Sequence, residues 1–267
     1  PSSFPTQSPA KRKRTDLPAA VCVDLQTPCT TAQVSTTGNK GAHTVGMQEK
    51  LGARPLRLVI VGHNPSEETW RVGHAYAHKS NWMWKILCST GIVPPGSGPE
   101  ADDGLPEAVG VGFTDVGTGH PGTDSSQFSS SDFDRWVPDF YRRLRAHVAT
   151  ASAAIGCQCG QCGAPNLVAF SGKRQYLELL NVGRKGAKVK SVELGLQPSS
   201  MLPPGWPLPA ENTEVYVCCS TSGAAALTRA QREAPYVVVA TRLAQFPLSR
   251  VCTCQGGQVK YVTPAQP

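Results

Sequence analysis

Leu56-Arg57-Leu58-Val59-Ile60-Val61 is an apolar, β-branched run that closes directly on Gly62-His63-Asn64-Pro65-Ser66. Such a run reads as a strand buried on both faces, and the Asn-Pro pair after it reads as a tight turn. Three similar runs follow: Val109–Val116, which glycines interrupt, then Asn166–Phe170 and Val215–Cys218. Between them lie stretches with helical spacing. Asn81–Ser89 carries Trp84, Ile86, Leu87 and Cys88 near one face, and Asp132–Ala149 repeats Phe133, Trp136, Val137, Phe140, Leu144 and Val148 at intervals of three and four. Lys173–Leu180 and Thr228–Leu243 complete the set, while Pro94–Leu105 and Ser199–Glu211 read as Pro/Gly-rich loops. Strands alternating with helices define an α/β domain with a largely parallel sheet. Functional side chains are then expected just past the carboxyl ends of the strands.

The chain divides into three expected parts. Residues 1–50 are rich in Pro, Ser and Thr with Phe4 as their only aromatic residue, too little apolar area to offset ordering entropy, so a disordered basic tail is expected. Residues 51–250 form the folded domain, and 251–267 a C-terminal tail that starts with a cysteine pair. In the first tail Lys11-Arg12-Lys13-Arg14 is a solvated charge cluster, a nuclear-import signal or a loose DNA tether. The formal charge of +7 favours a polyanionic partner without naming one. No apolar run approaches the roughly 20 residues of a membrane helix, and the start lacks a secretory signal's apolar stretch. An intracellular, monomeric protein without a membrane partner is expected.

Several short motifs stand in order along this frame. Gly62-His63-Asn64-Pro65 is followed by Gly73-His74-Ala75-Tyr76 and Asn81-Trp82-Met83-Trp84-Lys85, then by Gly112-Phe113-Thr114-Asp115 and Phe170-Ser171-Gly172-Lys173. Gly195-Leu196-Gln197-Pro198 and Ser220-Thr221-Ser222-Gly223 close the series. The series resembles the thymine/uracil-DNA glycosylase family of mismatch-specific enzymes over residues 56–245. That family carries Gly-x-Asn-Pro, Gly-His-x-Tyr, Asn-x-x-Trp-Lys, Gly-Phe-Thr-Asn, Phe-Asn-Gly-Lys and Gly-Leu-Gln-Pro in the same order. The resemblance implies a three-layer α-β-α sandwich around a central, mostly parallel four-stranded sheet.

It also implies excision of a base swung out of double-stranded DNA. Asn64 falls where the family places its water-holding amide. An Asn can orient water but is a feeble base, so catalysis would lean on positioning and on stabilising the leaving group. A monofunctional enzyme leaving abasic sites is expected, with no cofactor for catalysis. Tyr76 matches the ring that stacks on the extruded base; the plain alternative is a core tyrosine. Asn81 matches a residue near the base's 5-substituent, and would also suit a helix N-cap. Thr69, His74 and Ala75 are placed with the same base-binding set. Lys173, Arg174, Ser220, Ser222, Gly223, Ala224 and Arg229 are expected to face DNA, and Lys79, with His78, to attract a 5-carboxylate or simply to lie exposed.

Departures from the family carry the specificity. Asp115 stands where Asn is common. A carboxylate only accepts, and would match the side-by-side N3–H and N4–H of a protonated cytosine, so a pocket biased toward oxidised cytosines is expected. His63 replaces an apolar residue beside the turn and either titrates near neutral pH or packs. Ala224 stands where relatives place a bulky wedge; Leu227 or Arg229 would have to substitute, or mispaired and single-stranded substrates would be favoured. Other readings are a uracil or 5-hydroxymethyluracil glycosylase without cytosine preference and a non-catalytic nucleic-acid-binding protein.

Ten cysteines are present. Cys157-x-Cys159-x-x-Cys162 precedes a strand, and Cys252-x-Cys254 follows the last helix. In this topology both loops lie on the face away from the strand carboxyl ends. They could meet and give four thiolates to a structural zinc, with five cysteines competing for four places; free thiols or a disulfide are the alternatives.

Overall fold

A computed structural model describes residues 46–252 and Cys254. Both tails, with the basic tetrad, lie outside the described residues apart from Gly46–Lys50, Val251, Cys252 and Cys254.

Five strands form one sheet: β1 (Leu58–Gly62), β2 (Val111–Asp115), β3 (Leu167–Phe170), β4 (Gly195–Leu196) and β5 (Glu214–Val217). Their spatial order is β2-β1-β3-β5-β4. The first four are mutually parallel, in registers such as Ile60 with Phe113 and Ala169. The expected sheet of four strands therefore gains a fifth: Gly195–Leu196 pairs antiparallel with Tyr216–Val217 at the edge. Two residues offer no periodicity, so the pairing of this strand has no signal in the sequence.

The pleat sends alternate residues to two cores. Val59, Val61, Val168, Phe170, Val215 and Val217 pack on one side; Leu58, Ile60, Leu167, Ala169, Tyr216 and Cys218 pack on the other. The helices are α1 (Glu67–Val72), α2 (Met83–Ser89), α3 (Leu105–Val109), α4 (Ser130–Ala154), α5 (Lys173–Asn181) and α6 (Arg229–Leu243). Helices α4 and α5 cover the first face, through Phe133, Phe140, Tyr176 and Leu179. The second is covered by α2 and α6, through Ile86, Leu87, Tyr236 and Val239. The result is the three-layer α-β-α sandwich.

Helix ends explain where the periodicity fell short. The capping box of Ser129 and Asp132 starts α4 earlier than expected, and the Thr228–Gln231 box starts α6. The short α1 is unpredicted, yet its signals are conventional: Ser66 accepts from Thr69 N–H, Glu67 and Glu68 fill the first turn, and Gly73 closes the helix at φ 77°. Lys50 exchanges two backbone bonds with Phe113, and Met47 is buried. Residues 47–50 therefore belong to the domain and not to the tail. Among the described residues no helix is long and apolar enough to cross a membrane.

Candidate active site

A cavity of about 370 Å³ opens at the carboxyl ends of β1, β2, β3 and β5, a size suited to a small-molecule fragment. Of the residues singled out in the sequence, His63, Asn64, Thr69, Tyr76, Asn81, Asp115, Lys173, Arg174, Ser220, Ser222, Gly223 and Ala224 line it.

The turn after β1 is held by its side chains. Asn64 Nδ2 donates to the carbonyls of Pro65, His120 and Gly122 at 2.9–3.0 Å. Those three acceptors fix which end of the amide is nitrogen. Oδ1 therefore faces His63 Nδ1, 2.6 Å away, and His63 must be the donor. The imidazole sits among Phe128, Phe133 and Trp136, and its buried Nε2 has no hydrogen-bond partner among the described residues. Burial pushes the His63 pKa down to about 4. Of the two alternatives, titration near neutral pH or packing, the second fits: His63 is a neutral, packed donor to Asn64.

Asp115 ends β2 and is 7% exposed. Burial raises its pKa to about 7, against the pull of Arg143 and with a smaller push from Glu49. Among the described residues its carboxyl accepts no hydrogen bond. Close approach makes Gly62 obligatory here, since a Cβ there would stand 1.9 Å from an Asp115 carboxyl oxygen. Behind Asp115, Arg143 of α4 donates to its backbone carbonyl at 3.0 Å and to that of Val116 at 3.2 Å, and also bonds Glu49. Sequence reasoning missed Arg143, because only the packing of α4 on the sheet brings it to this strand end.

Tyr76 has φ 52°, the left-handed region that a bulky residue enters at a cost of about 1–3 kcal/mol. Its hydroxyl lies 2.9 Å from Ser171 Oγ and its ring meets Phe113 edge-on at 6.1 Å. His74 and Ala75 do not line the cavity, which corrects their placement as base contacts. His74 Nδ1 lies 2.9 Å from an oxygen of the fully buried Asp102, Ala75 N–H donates to the other at 2.7 Å, and Ala75 carbonyl accepts from the Trp84 indole. Both residues clamp the strained backbone of Tyr76 from behind.

Asn81 Oδ1 accepts from Met83 N–H at 2.9 Å, so the side chain supports the start of α2 while the residue lines the cavity. Trp82 is the N-cap residue by position, a correction to Asn81 in that place. Lys79 is exposed and outside the lining, whereas His78 reaches it. Arg174 donates to the carbonyls of Ser125 (2.6 Å) and Phe128, which ties down the loop behind His63.

The loop after β5 is moored by Arg232, which donates to the carbonyls of Ser220, Ser222 and Ala225 at 3.2, 2.8 and 2.5 Å. Arg232 is buried and lies 5.5 Å from the Trp82 ring, a second residue the sequence left unmarked. A Cβ on Gly223 would come within 2.6 Å of Ser80 carbonyl, so glycine lets the two loops touch. Arg229 donates to Glu233 at 2.9 Å and does not line the cavity. It is not a wedge in this arrangement.

Strand order, cavity position and the turn bearing Asn64 define an α/β protein with a candidate site at the strand carboxyl ends. Residues 49–244 match the model of the uracil DNA glycosylase superfamily, and the chain belongs to that superfamily. Its members are DNA glycosylases, hydrolases of the N-glycosidic bond that act in DNA repair.

Proposed function

We propose that this protein is a monofunctional DNA glycosylase that extrudes a modified or mispaired pyrimidine opposite G and hydrolyses its C1′–N1 bond, with 5-carboxylcytosine and 5-formylcytosine preferred over uracil and thymine. It would act in base excision repair or active DNA demethylation, in the nucleus. The observation that carries the preference is the buried Asp115 carboxyl, which lines the cavity, accepts no hydrogen bond among the described residues, and has its pKa raised by burial to about 7.

The chemistry follows from that group. In its protonated form Asp115 gives a proton to cytosine N3 and the resulting carboxylate accepts from N3–H and N4–H together. The base then departs neutral, with the electron pair of the broken C1′–N1 bond compensated by the proton already gained. Water adds at C1′ and releases its own proton to solvent. Asn64 Oδ1, with one lone pair on His63, uses the other to orient that water; its weak basicity suffices because a positioned nucleophile meets an oxocarbenium-like centre. Tyr76 offers its face to the extruded base. His78 and the Asn81 amide lie near where a 5-substituent would sit. Lys173 and the hydroxyls of Ser220 and Ser222 are suited to phosphates. Ala224 is too small to fill the gap left in the duplex, which favours mispaired or single-stranded substrates.

Base release from G·uracil, G·thymine, G·5-formylcytosine and G·5-carboxylcytosine duplexes tests this, with alkali to reveal abasic sites. Release of the oxidised cytosines, lost in Asn64→Ala, and shifted toward uracil in Asp115→Asn, is the expected result. Release of uracil alone would reject the preference and keep the glycosylase. Binding without release from any duplex would reject catalysis. A borohydride-trapped covalent adduct would reject the monofunctional mechanism.

A further inference from the structure

At the opposite pole from the cavity, by the amino ends of the strands, five cysteines converge. The segment 155–162 leaves the end of α4 and turns through Gly156 and Gly160, at φ 65° and 72°. Cys157 N–H returns to Ser152 carbonyl at 2.9 Å, and Gly163 N–H to Ser152 Oγ at 2.8 Å. Gly163 admits no side chain, because a Cβ would lie 2.3 Å from Val148 carbonyl. This loop is therefore built against α4. The chain beyond α6 comes back to meet it: buried Arg250 donates to Leu56 carbonyl at 2.8 Å, and Cys252 and Cys254 follow.

The sulfur geometry is that of a cage. Cys254 Sγ lies 3.5, 3.2 and 3.0 Å from Cys157, Cys159 and Cys162. Cys159 lies 3.2 Å from Cys157 and 3.5 Å from Cys162. All four sulfurs fall within 4.8 Å of one another. Four thiolates about 2.3 Å from one ion stand about 3.8 Å apart, so small outward shifts complete a tetrahedron. None of these pairs is at the roughly 2.05 Å of a disulfide, and five is an odd number to pair. Cys252 sits at the rim, 2.7 Å from Cys254 and 3.5 Å from Cys162.

We propose that Cys157, Cys159, Cys162 and Cys254 bind one structural Zn²⁺ that ties the C-terminal segment to the loop between α4 and β3. Each thiol loses its proton to solvent as it becomes a ligand. Soft sulfur donors in a closed tetrahedral set select zinc over hard cations and leave no position for substrate. Cys252 stays outside the first coordination sphere. The ion takes no part in base excision; it fastens a segment otherwise attached near its end by Arg250.

Elemental analysis of the full-length protein, expressed in zinc- and iron-supplemented medium, is the test. One equivalent of zinc is expected, retained in Cys252→Ser and lost in Cys162→Ser or Cys254→Ser. Should those variants fail to fold, the wild-type protein suffices. Chelation should lower its melting temperature by several degrees and expose additional reactive thiols, and Co²⁺ should then restore stability with the visible bands of tetrahedral thiolate coordination. Iron with acid-labile sulfide, absence of metal with a disulfide found by mass spectrometry, or zinc lost in Cys252→Ser but kept in Cys254→Ser would overturn the assignment.

Discussion

His63 Nδ1 and Asn64 Oδ1 are 2.6 Å apart, neighbours in sequence joined side chain to side chain across the turn after β1. The three carbonyls around Asn64 Nδ2 decide the orientation of the amide, and the amide decides the tautomer of the imidazole. An aromatic cage around the ring keeps it neutral. The pair thus fixes the orientation of the Asn64 amide at the cavity wall.

His63→Leu should keep the fold and loosen the amide. One lost hydrogen bond of about 1 kcal/mol corresponds to about a fivefold fall in single-turnover excision rate. Partial recovery in His63→Gln, whose amide can donate, would separate positioning from packing. Because the His63 pKa is held at about 4, the wild-type rate should show no inflection near pH 6.5 from this group.

Asp115 predicts a different profile. A proton-donating carboxyl with a pKa of about 7 makes excision of 5-carboxylcytosine decline as pH rises through neutrality. In Asp115→Asn that limb should vanish, and the ratio of uracil to carboxylcytosine excision should rise. Rate measurements from pH 5.5 to 9 on both substrates read the two effects together.

The same group has a cost in stability. The unfolded carboxyl titrates near 3.8 and the folded one near 7, so the folded state holds the proton more tightly. The stability this provides is complete below about pH 4, declines between pH 4 and 7, and is gone above pH 7. The total is about 4 kcal/mol at 1.36 kcal/mol per pH unit. Asp115→Asn should therefore melt at a higher temperature than the wild type at pH 8, with the gap shrinking toward pH 4.5. Thermal unfolding at both pH values checks the sign.

Ala224 lies on the exposed rim of the cavity and Arg229 is paired with Glu233. Ala224→Leu should raise excision from duplex DNA at least fivefold, about 1 kcal/mol of help in extrusion, and leave single-stranded substrate unchanged. Equal gains on both would show that the side chain acts on something other than the gap in the stack.

Much of the fold was legible because burial imposes period. The β-branched runs at Leu56–Val61, Asn166–Phe170 and Val215–Cys218 overlap β1, β3 and β5, and the stripe from Phe133 to Val148 lies within α4. Motifs put Asn64, Ser171 and Ser220 after strands and Asp115 at the end of one, and parallel topology gathers strand ends at one edge. The edge strand Gly195–Leu196 stayed hidden because hydrogen bonding alone defines it. What only tertiary structure decided is electrostatic and steric. That His63 is neutral depends on Phe133 and Trp136 from α4, and that Asp115 holds its proton depends on burial balanced against Arg143 from the same helix. His74 and Ala75 moved from base contacts to a clamp on Tyr76 because the buried Asp102 binds both. Residue types and their order specify which groups can react; the pKa and aim of each come from neighbours remote in sequence, whose approach no local pattern encodes.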